Sequence, residues 1–144
     1  MALAPLGQLA TERLTAFAER HTTVTIDTSI IMPNHVHLLL WLNRVPGPLA
    51  EIPVKKDRKF GDTIVGSLST LIGAYKGSVR QTARNRGLWP PSPLWQDDFH
   101  DHIVRNDEDL ARIRDYINTN PTRWLEDQLH PDASPNPFNR PNKP

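Results

Sequence analysis

The spacing of hydrophobic and polar positions changes several times along the chain, and each change marks an element. From Leu6 to His21, Leu9, Ala16 and Phe17, with the stems of Arg13 and Arg20, recur at three-and-four spacing. Polar Glu12 and Glu19 flank them, which predicts an amphipathic helix. Between Thr22 and Met32 the period falls to two: Val24, Ile26, Thr28 and Ile30 alternate with Thr23, Thr25, Asp27 and Ser29, the pattern of a half-buried strand. Pro33-Asn34 is a turn signal and His35–Leu42 reads as a second strand, so the pair predicts a hairpin. A two-residue loop would set Met32 opposite His35 and Ile30 opposite His37. Side chains alternate across a strand, so His35, His37, Leu39 and Trp41 share one face and Val36, Leu38, Leu40 and Leu42 the other. Apolar residues on both faces imply a central strand covered on both sides.

Arg44 to Gly61 holds Pro46, Pro48, Pro53 and a cluster of charges, and reads as a mobile basic loop. A long helix then runs from an N-cap at Asp62 to about Arg86, with Gly87 as its stop. Its apolar stripe is Ile64, Val65, Leu68, Leu71, Ile72, Tyr75 and Val79. After a Trp-Pro-Pro connection, Phe99–Arg105 reads as a short strand and Asp107–Asn118 as a helix with Leu110, Ile113, Tyr116 and Ile117 inward. Asn120-Pro121 ends that helix, and a last turn runs through Trp124 to about Leu129. From His130 onward five prolines with few apolar residues cannot offset the entropy of ordering, which predicts a disordered tail over 130–144 behind one domain over 1–129.

With 144 residues there is room for one domain and its core. The absence of cysteine excludes a disulfide framework, thiolate zinc sites and thiol nucleophiles. The longest apolar run, Val36–Leu42, is broken by His37 and too short to cross a bilayer, and Met1–Ala10 has no basic start. The expectation is a soluble cytoplasmic protein with no membrane partner. A net charge of +1 says little by itself, but eight Lys and Arg between Lys55 and Arg86 face only Asp57 and Asp62. Such segregation suits either a phosphate-binding surface or a solvated helix with a basic loop.

Three groups could carry chemistry. His35 and His37 stand at i and i+2 on a strand, roughly 6.5 to 7 Å apart at Cα, so their imidazoles can converge on one metal ion. They could equally be two structural histidines. Tyr75 lies on the apolar stripe of the long helix, where an ordinary core tyrosine is the plain reading. Lys76, Arg80 and Arg84 form an i, i+4, i+8 row beside it. If that helix leaned over the sheet face bearing the histidines, phenol, metal and cations would meet. The third group runs from Trp95 and Gln96 to Arg105, with His100 and His102 again at i and i+2 and with Trp95 and Phe99 able to stack bases or fill core.

Four motifs occur in series: Ile31-Met32-Pro33-Asn34-His35-Val36-His37-Leu38-Leu39, Gly73-Ala74-Tyr75-Lys76-Gly77-Ser78, Trp95-Gln96 through His102-Ile103-Val104-Arg105-Asn106, and Tyr116-Ile117-Asn118-x-Asn120-Pro121-x-x-Trp124. Together, over about Leu6 to Asp127, the chain resembles the single-tyrosine HUH transposases, in their REP-associated (RAYT-like) branch. The resemblance implies an α+β, ferredoxin-like antiparallel sheet with helices. It also implies cleavage and rejoining of single-stranded or hairpin DNA through a 5′-phosphotyrosine, leaving a free 3′-hydroxyl.

Carried over by position, His35 and His37 would hold Mg²⁺ or Mn²⁺ and Tyr75 would be the nucleophile. Asn34, Lys76, Arg80, Arg84, Trp95, Gln96 and Arg105 would contact DNA. Ligand softness alone would match imidazoles to a transition metal, so magnesium rests on the resemblance. Two departures accompany it. Val79 stands where relatives often place a glutamine ligand, which leaves the third ligand open among His102, Gln81 and water. The strand that relatives carry ahead of the first helix is missing, so the histidine strand would expose an unpaired edge unless an upstream segment or a homodimer partner filled it. These departures keep a second reading alive: a hairpin-DNA-binding remnant that has lost cleavage.

Overall fold

The computed structural model describes residues 3–43, 66–90, 92–96, 99–127 and 129–134. At its centre is the expected hairpin, β1 (Val24–Ile31) paired antiparallel with β2 (Val36–Leu42). Ile30 lies opposite His37 and Ile31 opposite Val36, and the Met32 N–H donates to the His35 carbonyl at 2.9 Å. The tip therefore has the register that a Pro-Asn turn dictates.

Beyond the tip the alternation expected for β1 breaks down. Ile26 pairs with Leu40 but Thr28 with Leu39, so Asp27 is an extra residue, a β-bulge. The bulge exchanges the faces of the second half of β1. Val24, Ile26 and Ile31 join the core, whereas Thr28 and Ile30 pair with Leu39 and His37 on the opposite face.

A helical layer covers each face of the hairpin. Helix α1 (Pro5–Arg20) opens with proline in its first turn, which loses no internal hydrogen bond there, and buries Leu9, Ala10, Leu14 and Phe17. Helix α2 (Leu68–Asn85) begins five residues beyond the expected Asp62, on a Ser67 cap whose hydroxyl accepts from the Thr70 N–H. Asp62, Ile64, Val65 and the expected loop over 44–61 lie outside the described residues. The helix stops as its sequence says: Gly87 has φ of 66°, Leu88 N–H reaches the Ala83 carbonyl and Gly87 N–H the Arg84 carbonyl. Leu71, Tyr75, Val79 and Ala83 face inward from α2. They join Ala10, Leu14, Phe17, Val24 and Ile31, with Val36, Leu38 and Leu40 of β2 packed against the cluster.

The other face is covered by α3 (Asp107–Thr119), capped by the Asn106 side chain on the Asp109 N–H, and by a 3₁₀ helix over Asn120–Glu126. Ile117 is buried, while Tyr116, expected to point inward, is 43% exposed. Arg114 and Asn118 tie α3 to β1 through Asp27 and Thr28. The protein is thus α+β. The histidine strand is covered on both faces but is not central, because the sheet among the described residues has two strands.

The expected strand over Phe99–Arg105 has no ladder partner among them, and Ile103 is 71% exposed. Of the tail expected over 130–144, residues 135–144 lie outside the described residues, and 130–134 form turns. His130 and Ala133 close turns onto Asp127 and His130, and the His130 ring packs on Trp124. No helix among the described residues is long and apolar enough to cross a membrane.

Candidate metal centre and active site

Strand alternation brings His35 and His37 together, and their Nε2 atoms face each other at 2.9 Å. Two ligand atoms at right angles around an ion with bonds of about 2.1 Å would stand ~3.0 Å apart. Asn34 sets the tautomer. Its Nδ2 donates to the Leu129 carbonyl at 2.6 Å, which turns Oδ1 toward His35 Nδ1 at 2.8 Å. Nδ1 must then carry the proton, leaving the Nε2 lone pair directed into the site. Burial, followed by the neighbouring His37 charge, pushes His35 down to about 4, against an opposing pull from Asp127. Burial likewise lowers His37, again opposed by Asp127. Burial thus favours the neutral ring at both positions, the form in which imidazole binds metals.

Three side chains from the C-terminal third complete the group. Asp127 is buried, and one carboxylate oxygen lies with the two imidazole nitrogens in a cluster no more than 4.8 Å across. Its Oδ1 accepts the Leu129 N–H at 2.6 Å, which fixes the carboxylate. Asn120, 4% exposed, approaches His37 Nε2 with Nδ2 at 3.3 Å, while its Oδ1 is buried with no hydrogen-bond partner among the described residues. A buried amide oxygen without a partner is costly, and a cation between it and the imidazoles would satisfy it after rotation of the amide. The residues present therefore fit a divalent cation: two imidazoles, an orphaned amide oxygen and a carboxylate.

Tyr116 stands edge-on to His37, ring centroids 5.3 Å apart. Burial and the Asp127 charge raise its pKa, against a hydrogen bond from Asn120 and the Arg123 charge. A cleft of about 150 Å³ opens beside it, lined by Tyr116, Thr119, Asn120, Arg123, Glu126 and Asp127.

Tyr75 is elsewhere. Helix α2 packs on α1 and joins the core cluster at the apolar face of the hairpin, so the expected meeting of Tyr75 with the histidines does not occur. Its ring is 2% exposed between Phe17 and Trp95, its hydroxyl donates to the Ala10 carbonyl at 3.2 Å, and burial pushes it up to about 12. The reason is visible in α2 itself: Leu71, Tyr75, Val79 and Ala83 are one stripe, and a stripe that apolar seeks the apolar face.

Neither candidate third ligand joins the histidines. Gln81 donates to Asn85 at 3.0 Å on α2, and His102 pairs with Asp109 at 2.8 Å at the start of α3. Of the residues expected to contact DNA, Lys76, Arg80 and Arg84 stand along α2 with Trp95 and Gln96 against Lys76, while Asn34 lies beside His35. Lys76 reaches the Gln96 carbonyl at 2.9 Å, and Trp95 is half-buried, donating to the Lys76 carbonyl at 3.1 Å. Arg80 and Arg105 are exposed, and the Arg84 guanidinium lies 4.4 Å from the Trp89 ring centroid.

A Haemophilus influenzae protein described as "Uncharacterized protein" is 31% identical over 115 residues, covering 76% of this chain and 61% of the relative. A second protein of that organism, named "Putative REP-associated tyrosine transposase", is 30% identical over 93 residues, 65% of this chain and 47% of the relative. The chain is a distant relative of that transposase-like protein. It spans about half to three fifths of the length of these curated relatives. No family model and no solved structure matches it.

Sequence reading missed Tyr116, Asn120 and Asp127 as site residues. A signal was present, since Tyr116 and Asn120 stand one helical turn apart in the fourth motif, and residues at i and i+4 share a helix face.

Proposed function

We propose that this chain is a DNA strand-cleavage and strand-transfer domain of the tyrosine-transposase kind, with Tyr116 as its nucleophile. The observation that carries this reading is the convergence of His35 Nε2, His37 Nε2, the buried Asn120 amide and the half-exposed Tyr116 phenol on one face of the hairpin. Relationship to a transposase-like protein supports the reaction class. The ligands would be His35, His37 and Asn120, with Asp127 beside them. Mg²⁺ or Mn²⁺ bound there would supply charge neutralisation at the scissile phosphate.

The chain's own residues do the rest. Asn34 holds His35 in the tautomer with Nε2 inward. Tyr116 Oη attacks phosphorus and gives up its proton, for which the Asp127 carboxylate is the nearby acceptor. The P–O3′ bond breaks, and the leaving 3′ oxygen takes up a proton to become a hydroxyl. The product is a 5′-phosphotyrosine, and attack by a 3′-hydroxyl reverses the sequence and rejoins the strand. Arg123, which lines the cleft and pairs with Glu126 at 3.2 Å, would meet phosphate oxygens.

The test is a denaturing gel of end-labelled single-stranded hairpins incubated with the chain and Mn²⁺. A covalent adduct formed by the native chain and by Tyr75→Phe, and absent from Tyr116→Phe and His37→Ala, is expected. An adduct that depends on Tyr75 would overturn the assignment. Salt-sensitive hairpin binding with no adduct would identify a DNA-binding remnant instead.

A further inference from the structure

One exposed side chain on the histidine face has no part in the reaction above. Trp41 is 49% exposed and stands four residues beyond His37 on β2, about 13 Å along the strand. Its indole is held in place: Nε1 donates to Asp27 Oδ2 at 2.8 Å. The same carboxylate is gripped from α3 by Arg114, Nε to Oδ1 at 2.7 Å. Asp27 is the extra residue of the β1 bulge, and bulges re-aim side chains that a regular ladder would place elsewhere. A bulge, an ion pair and an indole hydrogen bond thus converge to fix an aromatic ring that remains half open to solvent. Burial does not account for the expense of that arrangement, whereas an immobilised ring suits a flat ligand, because little side-chain freedom is left to lose on binding.

We propose that Trp41 is a base-stacking platform for an unpaired nucleotide a few steps along the strand from the phosphate cleaved at the His37–Tyr116 site. Every base offers a π-face, so the platform selects for unpaired nucleotides rather than for a sequence. Asp27 and Arg114 are positioning residues that act through the indole. The inference rests on the histidine face being a single-strand DNA site. Trp89 under Arg84 is another exposed indole, but it follows α2, away from the histidine face.

The experiment measures binding of a fluorescein-labelled oligothymidylate by anisotropy, with a single abasic position moved along the strand. Trp41→Leu is expected to weaken binding by about tenfold, and Trp41→Phe, which keeps a ring but not the N–H, by no more than about threefold. Removing one base at a fixed position should reproduce the loss in the native chain and add nothing in Trp41→Leu. Native affinity in Trp41→Leu would overturn the platform, as would equal losses in the Leu and Phe variants, which would assign the effect to the Asp27 hydrogen bond. Should Trp41→Leu melt below the assay temperature, the abasic scan decides alone, and a scan with no sensitive position overturns the proposal. Trp41-dependent binding with no Tyr116-dependent adduct would instead overturn the strand-transfer reading and leave the platform standing.

Discussion

The chain has two tyrosines, Tyr75 on α2 in the core cluster at the apolar face of the hairpin and Tyr116 on α3, which covers the other face. On the apolar face Tyr75 is sealed between Phe17 and Trp95, with a main-chain carbonyl as hydroxyl partner and a pKa pushed up to about 12. On the polar face Tyr116 is 43% exposed, edge-on to an imidazole, beside a buried amide and a carboxylate. The phenols are chemically identical, so the difference lies in their neighbours. A phenol that has displaced water and found a carbonyl is a structural group. One that keeps solvent access beside side chains able to hold a metal can reach a substrate. The residue type on a helix therefore carries less information than the sheet face to which the helix is delivered.

Substitution can break that comparison most sharply at Tyr116. Tyr116→Phe should remove the covalent DNA adduct entirely while leaving the melting temperature close to native, because a half-exposed hydroxyl contributes little to folding. Next in size is the metal site. Asn34→Ala, which frees the His35 tautomer without removing a ligand, should weaken Mn²⁺ binding by about 10- to 100-fold in calorimetric titration. An unchanged affinity would place the metal somewhere other than the two Nε2 atoms.

On the apolar face the expected effects are on stability. Tyr75→Ala should cost about 3–5 kcal/mol in urea unfolding, as truncation of a large buried ring does. Tyr75→Phe, losing only the bond to the Ala10 carbonyl, should cost about 0.5–1.5 kcal/mol and leave adduct formation intact. A Tyr75→Phe chain that folds but forms no adduct would collapse the distinction between the two tyrosines.

The smallest effect concerns the bulge. Hydrogen bonds from Arg114 and then Trp41 hold the Asp27 carboxyl down to about 2, below its ordinary 3.8. A depressed carboxyl stabilises the fold above its unfolded pKa, and that contribution is lost as pH falls through the folded value. The destabilisation caused by Asp27→Asn should therefore be constant above about pH 4 and shrink between 4 and 2, read from thermal melts across that range.

Much of the framework was legible in the sequence. The Pro33-Asn34 turn fixed the register at the hairpin tip, and the Gly87 stop of α2 and the Asn106 start of α3 follow from local chemistry. The bulge at Asp27 was not legible, because Thr-Ile-Asp-Thr alternates as well without a bulge as with one. What selects it is long-range, the grip of Arg114 on the carboxylate, 87 positions along the chain. The His35–His37 pair could be read as a candidate site from spacing alone. Asp127 could not be assigned to it, since a polar residue in a turn is ordinarily a cap or a solvated group.

By itself the sequence determined that two imidazoles share a strand face and that α2 buries a stripe containing Tyr75. Both are consequences of local periodicity, two residues per repeat in a strand and 3.6 in a helix. Only the tertiary structure decided which helix covers which face. Apolar burial is non-directional and specifies that a stripe be covered without naming the partner. The choice came from pairing whole surfaces: the apolar stripe of α2 joined α1 in the cluster that Val36, Leu38 and Leu40 pack against, and the polar face of the hairpin was left to α3, with Tyr116 and Asn120.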